Sequence, residues 1–121
     1  MKSAFLDLPI QVSKVSKTDW MVLADFRYYS KLLGKVVTVP AKFVTDFASV
    51  PRLPLAYLLA GDTAHEAAVI HDWLYRKKPH ICTRRKADLV FMEAMKVSKI
   101  PPWRIELMYV AVRACGWNSW K

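Results

Sequence analysis

The chain has 121 residues, 54% of them hydrophobic, which is enough for one domain with a packed core and too apolar for a disordered segment. Nineteen Lys and Arg against ten Asp and Glu leave a formal net charge of +9, which disfavours basic partners and favours an acidic one. No apolar run approaches the roughly 20 residues that cross a bilayer, residues 1–10 lack the apolar stretch of a signal peptide, and Cys82 and Cys115 make neither a disulfide framework nor a metal spacing; a reducing cytoplasm is the expected compartment.

In chain order, Trp20–Tyr29 and Lys35–Pro40 are rich in β-branched and aromatic residues with Gly34 as a turn signal between them, so both are expected as antiparallel strands. A third strand is expected over Ala41–Asp46, with Pro40 marking an edge or a bend. Beyond Pro51 the periodicity becomes helical. A short helix is expected over Leu53–Ala60, stopped by Gly61, and a second capped by Asp62 or Thr63 and running through His65 and His71 to about Tyr75. Thr83 caps a third, in which Ala87, Val90, Phe91, Ala94 and Met95 recur at spacings of three and four. Ile100-Pro101-Pro102 breaks the chain, and a last helix runs from Pro102 or Trp103 to Ala114 or Cys115, with Gly116 as its stop. The expected class is α+β: a single domain over 1–121, with a small antiparallel β portion (1–50) followed by three or four helices (51–121).

The cationic residues cluster. Arg76-Lys77-Lys78 and Arg84-Arg85-Lys86 bracket a short segment containing Pro79, His80 and Cys82, which places both groups at one end of the molecule. Arg76, Lys77, Arg84 and Arg85 are therefore candidate binding residues for an anionic lipid, an envelope component or an acidic protein, unless they are simply solvated helix ends. No nucleic-acid module accompanies them.

The chemistry concentrates in His71-Asp72-Trp73-Leu74-Tyr75 and Ala87-Asp88-Leu89-Val90-Phe91. On a helix His71 and Tyr75, four apart, share a face, while Asp72 diverges by about 100°. Asp88, early in the following helix, can reach His71, fix its tautomer and stabilise the imidazolium while the other ring nitrogen takes a proton from water. Tyr75 can donate its hydroxyl to Asp88 from the same face. His71, Asp88 and Tyr75 are thus the candidate catalytic group; equally, they can form a buried network that only ties two helices together. Asp72 either pairs with Arg76 one turn later or supplies oxygen to a hard cation such as calcium or magnesium.

His65-Glu66 opens the HExxH pattern of zinc proteases, but Val69 stands where the second histidine belongs, so that chemistry is not expected. The junction Thr45-Asp46-Phe47-Ala48-Ser49-Val50-Pro51-Arg52 joins the β portion to the helices, where polar site residues are often mounted. Asp46 is a second candidate cation ligand and Arg52 a candidate anion binder, against the plainer reading of a linker whose polar groups satisfy its own backbone. The pair Trp117 and Trp120 suits an interface if exposed and a core if buried.

Two resemblances attach to these motifs. TDFASVPR at 45–52, HDWLY at 71–75 and ADLVF at 87–91 resemble a family of small tailed-phage and prophage proteins of uncharacterised function, over about Trp20–Trp117. That resemblance implies a viral origin, the cytoplasm of an infected bacterium or the virion as the location, and other phage virion proteins as partners. More locally, Ala67-Ala68, His71-Asp72, Tyr75, Ala87-Asp88 and Phe91 are similar to the core helices of secreted and parvovirus-capsid phospholipases that hydrolyse an ester with calcium. That similarity implies His71 as base, Asp72 as a calcium ligand, and Tyr75 and Asp88 as supports of His71. The glycine-rich calcium loop of those enzymes has no counterpart, since Gly61 is the only glycine nearby. Two functions stay open: a phage-encoded hydrolase acting on an ester or acyl bond, and a non-enzymatic virion or host-factor-binding protein in which the same residues lock the fold.

Overall fold

The computed structural model describes residues 2–17, 19–45 and 65–120. Six strands precede three helices: β1 (Ala4–Phe5), β2 (Val12–Lys14), β3 (Trp20–Val22), β4 (Phe26–Ser30), β5 (Lys35–Val39), β6 (Val44–Thr45), α1 (His65–Arg76), α2 (Arg84–Val97) and α3 (Pro102–Cys115), closed by a 3-10 turn over Gly116–Asn118. The α+β class expected from the sequence is the one observed.

The strands form two antiparallel sheets, ordered β1-β4-β5 and β2-β3-β6. In the first, Phe26 pairs with Val39 and Tyr28 with Val37. These four point inward and are buried, while Arg27, Val36 and Thr38 alternate outward, the period-2 pattern of a sheet with one covered face. Gly34, at φ +68°, closes the β4–β5 hairpin in a left-handed conformation that favours glycine.

The sequence expectation of one strand over Trp20–Tyr29 is corrected. The run divides at Leu23–Asp25 into β3 and β4, which belong to different sheets. The corner is held by polar bonds: Asp25 Oδ1 accepts from Ala41 N at 2.8 Å, Lys42 N donates to Val22 O at 2.7 Å, and Leu23 N donates to Gln11 O at 2.8 Å. Lys42 takes φ 76° there, so the strand expected over Ala41–Asp46 begins only at Val44; Asp46 lies outside the described residues. The expected helix over Leu53–Ala60 and the caps at Asp62 or Thr63 lie outside the described residues.

Helix α1 is central. Ala67, Ala68, Val69, Ile70, His71, Asp72, Leu74 and Tyr75 are all buried, because α2 packs on one side while β5 and β6 approach from another. A helix buried almost all round cannot show a simple amphipathic stripe. Helix α2 starts as expected, with Thr83 Oγ1 accepting from Lys86 N at 3.2 Å, and buries Ala87, Asp88, Val90, Phe91, Ala94 and Met95. It stops where Lys99 turns left-handed at φ 61°, with Lys99 N bonded to Lys96 O and Ile100 N to Met95 O, a Schellman closure. Pro101 and Pro102 then open α3, which buries Ile105, Met108 and Val112.

Candidate functional site

Positions 71 and 72 of α1 diverge by about 100°, and each enters a different seam. His71 faces α2, where its Nε2 stands 2.7 Å from Asp88 Oδ1, with both residues fully buried. Tyr75, one turn later on the same face, donates its hydroxyl to the same Oδ1 at 2.6 Å. The imidazole meets the rings of Tyr75 and Phe91, at centroid distances of 4.3 and 4.6 Å. The three residues proposed from spacing therefore converge on one carboxylate.

Two arginines complete the hub. Arg113 of α3 donates from Nη1 to Asp88 Oδ2 at 2.7 Å, and Arg84 Nη1 lies 3.7 Å from the same oxygen. Arg84 also donates to the Tyr75 hydroxyl at 3.4 Å and to the Val112 and Arg113 carbonyls at 3.2 Å each, so it binds the C-terminal turn of α3. Burial acts to raise the Asp88 pKa, but the hydrogen bonds from His71, Tyr75 and Arg113 outweigh it and hold the carboxyl below its ordinary range. The Tyr75 hydroxyl moves the opposite way: burial first, then the bond to Asp88, pushes it well above the usual phenol range. Asp88 is an ionised acceptor and Tyr75 a neutral donor throughout the physiological range.

Asp72 enters the seam between α1 and β6. Thr45 donates its hydroxyl to Asp72 Oδ2, Arg76 Nε stands 3.5 Å from Oδ1, and Arg76 Nη1 donates to Val44 O at 2.9 Å. Of the two roles open from sequence, the pairing with Arg76 is present. Asp46, the other expected cation ligand, and Arg52, the expected anion binder, lie outside the described residues. Among the described residues no group of three or more His, Cys, Asp or Glu side chains is placed to hold a metal ion.

The expected cationic patch divides. Arg84 and Arg76 serve internal bonds, while Arg85 is exposed and Lys77 half-buried, with the Lys77 ammonium donating to Lys78 O at 3.3 Å. The two tryptophans of the tail divide as well. Trp120 stacks on His80 with centroids 3.7 Å apart and meets Tyr75 edge-on at 5.2 Å, whereas Trp117 is 66% exposed.

Sequence reasoning missed Arg113, Thr45 and the inward role of Arg84. The only trace of Arg113 was its position beside Val112 on the buried stripe of α3. Helix α3 stops at Gly116 as expected, at φ −75°, which any residue adopts. The glycine is needed for room: a Cβ there would lie 2.7 Å from the Tyr75 hydroxyl.

Three surface cavities, lined in part by Met92, Ile105 and Glu106, by Lys35, His80 and Cys82, and by Leu8 and Glu66, have neither His71 nor Asp88 in their walls. No helix among the described residues is long and apolar enough to cross a membrane. No curated protein and no solved structure matches the chain. The family model described as "Protein of unknown function (DUF1353)" matches residues 20–112, which include His71, Asp72, Tyr75, Asp88 and Thr45, and the chain belongs to that family.

Proposed function

We propose that the chain is a hydrolase in which His71 is the general base and Asp88 its orienting carboxylate, acting on an ester or other acyl bond. The observation that carries this reading is the 2.7 Å contact of His71 Nε2 with a buried carboxylate that Tyr75 and Arg113 keep ionised. With the proton fixed on Nε2, Nδ1 takes a proton from water while the hydroxide adds to the acyl carbon. Collapse of the tetrahedral intermediate expels the alkoxide, which recovers the proton from Nδ1. Asp88 stays unprotonated and stabilises the imidazolium in between. Because His71 is fully buried, water and substrate reach it only when part of its cover moves, so turnover is tied to local opening. In this proposal Asp72 and Asp46 are the residues that would hold calcium, which would polarise the acyl carbonyl.

The test is hydrolysis of p-nitrophenyl butyrate and of anionic phospholipid vesicles, with and without calcium. His71→Gln and Asp88→Asn, checked as folded by circular dichroism, should each lose about 10²–10⁴-fold in rate. A folded wild-type chain that hydrolyses neither substrate, or a His71→Gln chain as active as wild type, refutes the proposal. Calorimetric titration of calcium into wild type and Asp72→Asn reads the cation separately.

The complete burial of His71 and Asp88 favours a second reading, in which the hub is only a clamp joining α1, α2 and α3 and exposed cations such as Arg85 bind an acidic partner. Under that reading Arg85→Glu weakens binding to anionic vesicles, and His71→Gln changes stability alone.

A further inference from the structure

Opposite its buried stripe, α3 carries a second apolar stripe that no described residue covers. Trp103 is 60% exposed, Leu107 48%, Val110 59% and, one turn beyond the helix, Trp117 66%, with Ala114 also exposed. The spacing of four, three and four keeps Trp103, Leu107, Val110 and Ala114 on one line of α3, the repeat of a helix-to-helix seam, and Trp117 follows in the 3-10 turn. We infer that this stripe is a self-association surface, on which α3 of a second copy of the chain packs antiparallel about a two-fold axis at Val110.

Two features of the stripe select that occupant. First, it is self-complementary about its middle: Val110 meets itself, Leu107 meets the small Ala114 of the second copy, and Trp103 meets Trp117, so bulk faces gap at one level and indole faces indole at the next. Second, the area suffices. Four indoles, at about 150–250 Å² each when covered and roughly two-thirds exposed here, supply on the order of 500 Å², about half of the roughly 1,000 Å² that a specific interface needs. Leu107, Val110 and Ala114 from both copies bring the remainder. The net charge of +9 on each copy opposes approach over distance, and salt screens that repulsion beyond about 8–10 Å. The association therefore strengthens with salt, the reverse of binding to an anionic lipid surface.

Sedimentation velocity and light scattering of the full chain, at rising protein and salt concentration, should show mass moving from 13.9 kDa to twice that value. Val110→Lys, at an exposed position, should return the chain to monomer with its melting temperature kept; Leu107→Gln is the second variant if Val110→Lys does not fold. On a Cys82→Ser, Cys115→Ser background, oxidation should link Val110→Cys chains as covalent dimers and leave Trp103→Cys chains unlinked. A monomer at every concentration and salt overturns the inference. So does Trp103→Cys linking to itself as readily as Val110→Cys, which would mean a parallel pairing. Monomeric binding to phosphatidylglycerol vesicles through the same stripe, lost as salt rises, also overturns it in favour of a membrane surface.

Discussion

Helix α2 offers a carboxylate to a buried tyrosine twice. Towards its C-terminal end Glu93 accepts from the Tyr28 hydroxyl of β4 at 2.7 Å, and its other oxygen accepts from Leu32 N at 2.9 Å. Towards its N-terminal end Asp88 accepts from Tyr75 at 2.6 Å. The two bonds are alike in length, and both phenols are pushed above their ordinary range by burial and then by the carboxylate. The surroundings differ. Glu93 is half-exposed and bolts a hairpin to a helix with one hydroxyl and one backbone N–H; Asp88 is fully buried and gathers a histidine and two arginines. A tyrosine–carboxylate bond is thus ordinary glue in this molecule, and what sets the second apart is the histidine on the same oxygen.

Substitution of the two acids tests that contrast most severely. Asp88→Ala leaves His71 and Arg113 without their buried partner and should cost about 3–5 kcal/mol. Glu93→Ala, beside solvent, should cost about 1–2 kcal/mol. Urea denaturation of both variants measures the gap, and equal losses would erase the distinction. The next effect is steric: Gly116→Ala drives a Cβ into the Tyr75 hydroxyl and should cost about 1–3 kcal/mol by displacing it. Gly34→Ala meets no atom but is strained by its positive φ, at about 1 kcal/mol.

The pH dependence sharpens the same comparison. The folded Asp88 carboxyl titrates below its unfolded value of about 4, so its contribution is complete above about pH 4 and is lost as pH falls through the folded value. Melting temperature should therefore fall on acidification less steeply in Asp88→Asn than in wild type. The tyrosines have raised folded values, so their contributions are complete below about pH 10 and fade as pH rises beyond it. An alkaline melting series on Tyr28→Phe and Tyr75→Phe should show a shallower limb in each. At neutral pH these two variants should each lose about 1 kcal/mol, as small as the Gly34→Ala effect; a much larger loss in Tyr75→Phe alone would show that its bond with Arg84 matters to the hub.

The part of this architecture legible in the sequence was the part with short-range causes. Helix α2 announced itself through Thr83 and a clean three-four repeat, α3 through its prolines, and the His71, Tyr75 and Asp88 grouping through helical spacing plus a short connection. The β3–β4 corner did not, because Trp20–Tyr29 satisfies strand preference throughout and the break depends on Asp25 reaching Ala41, 16 residues away. Arg113 was invisible for a similar reason: nineteen cations are scattered along the chain, and only the packing of α3 on α2 selects which one turns inward. Short strands such as β1 and β2 have too few residues to display an alternation, so their pairing with β4 and β3 left no mark on the sequence.

Trp120 gives the molecule a built-in optical gauge. Its indole stacks on His80 and abuts Tyr75, one bond from Asp88, while Trp117, three residues earlier, faces solvent. A motion that lets water into the His71 pocket by lifting the tail separates Trp120 from His80, and in a chain whose other four tryptophans are replaced by Phe the remaining indole emission follows the opening without an added label.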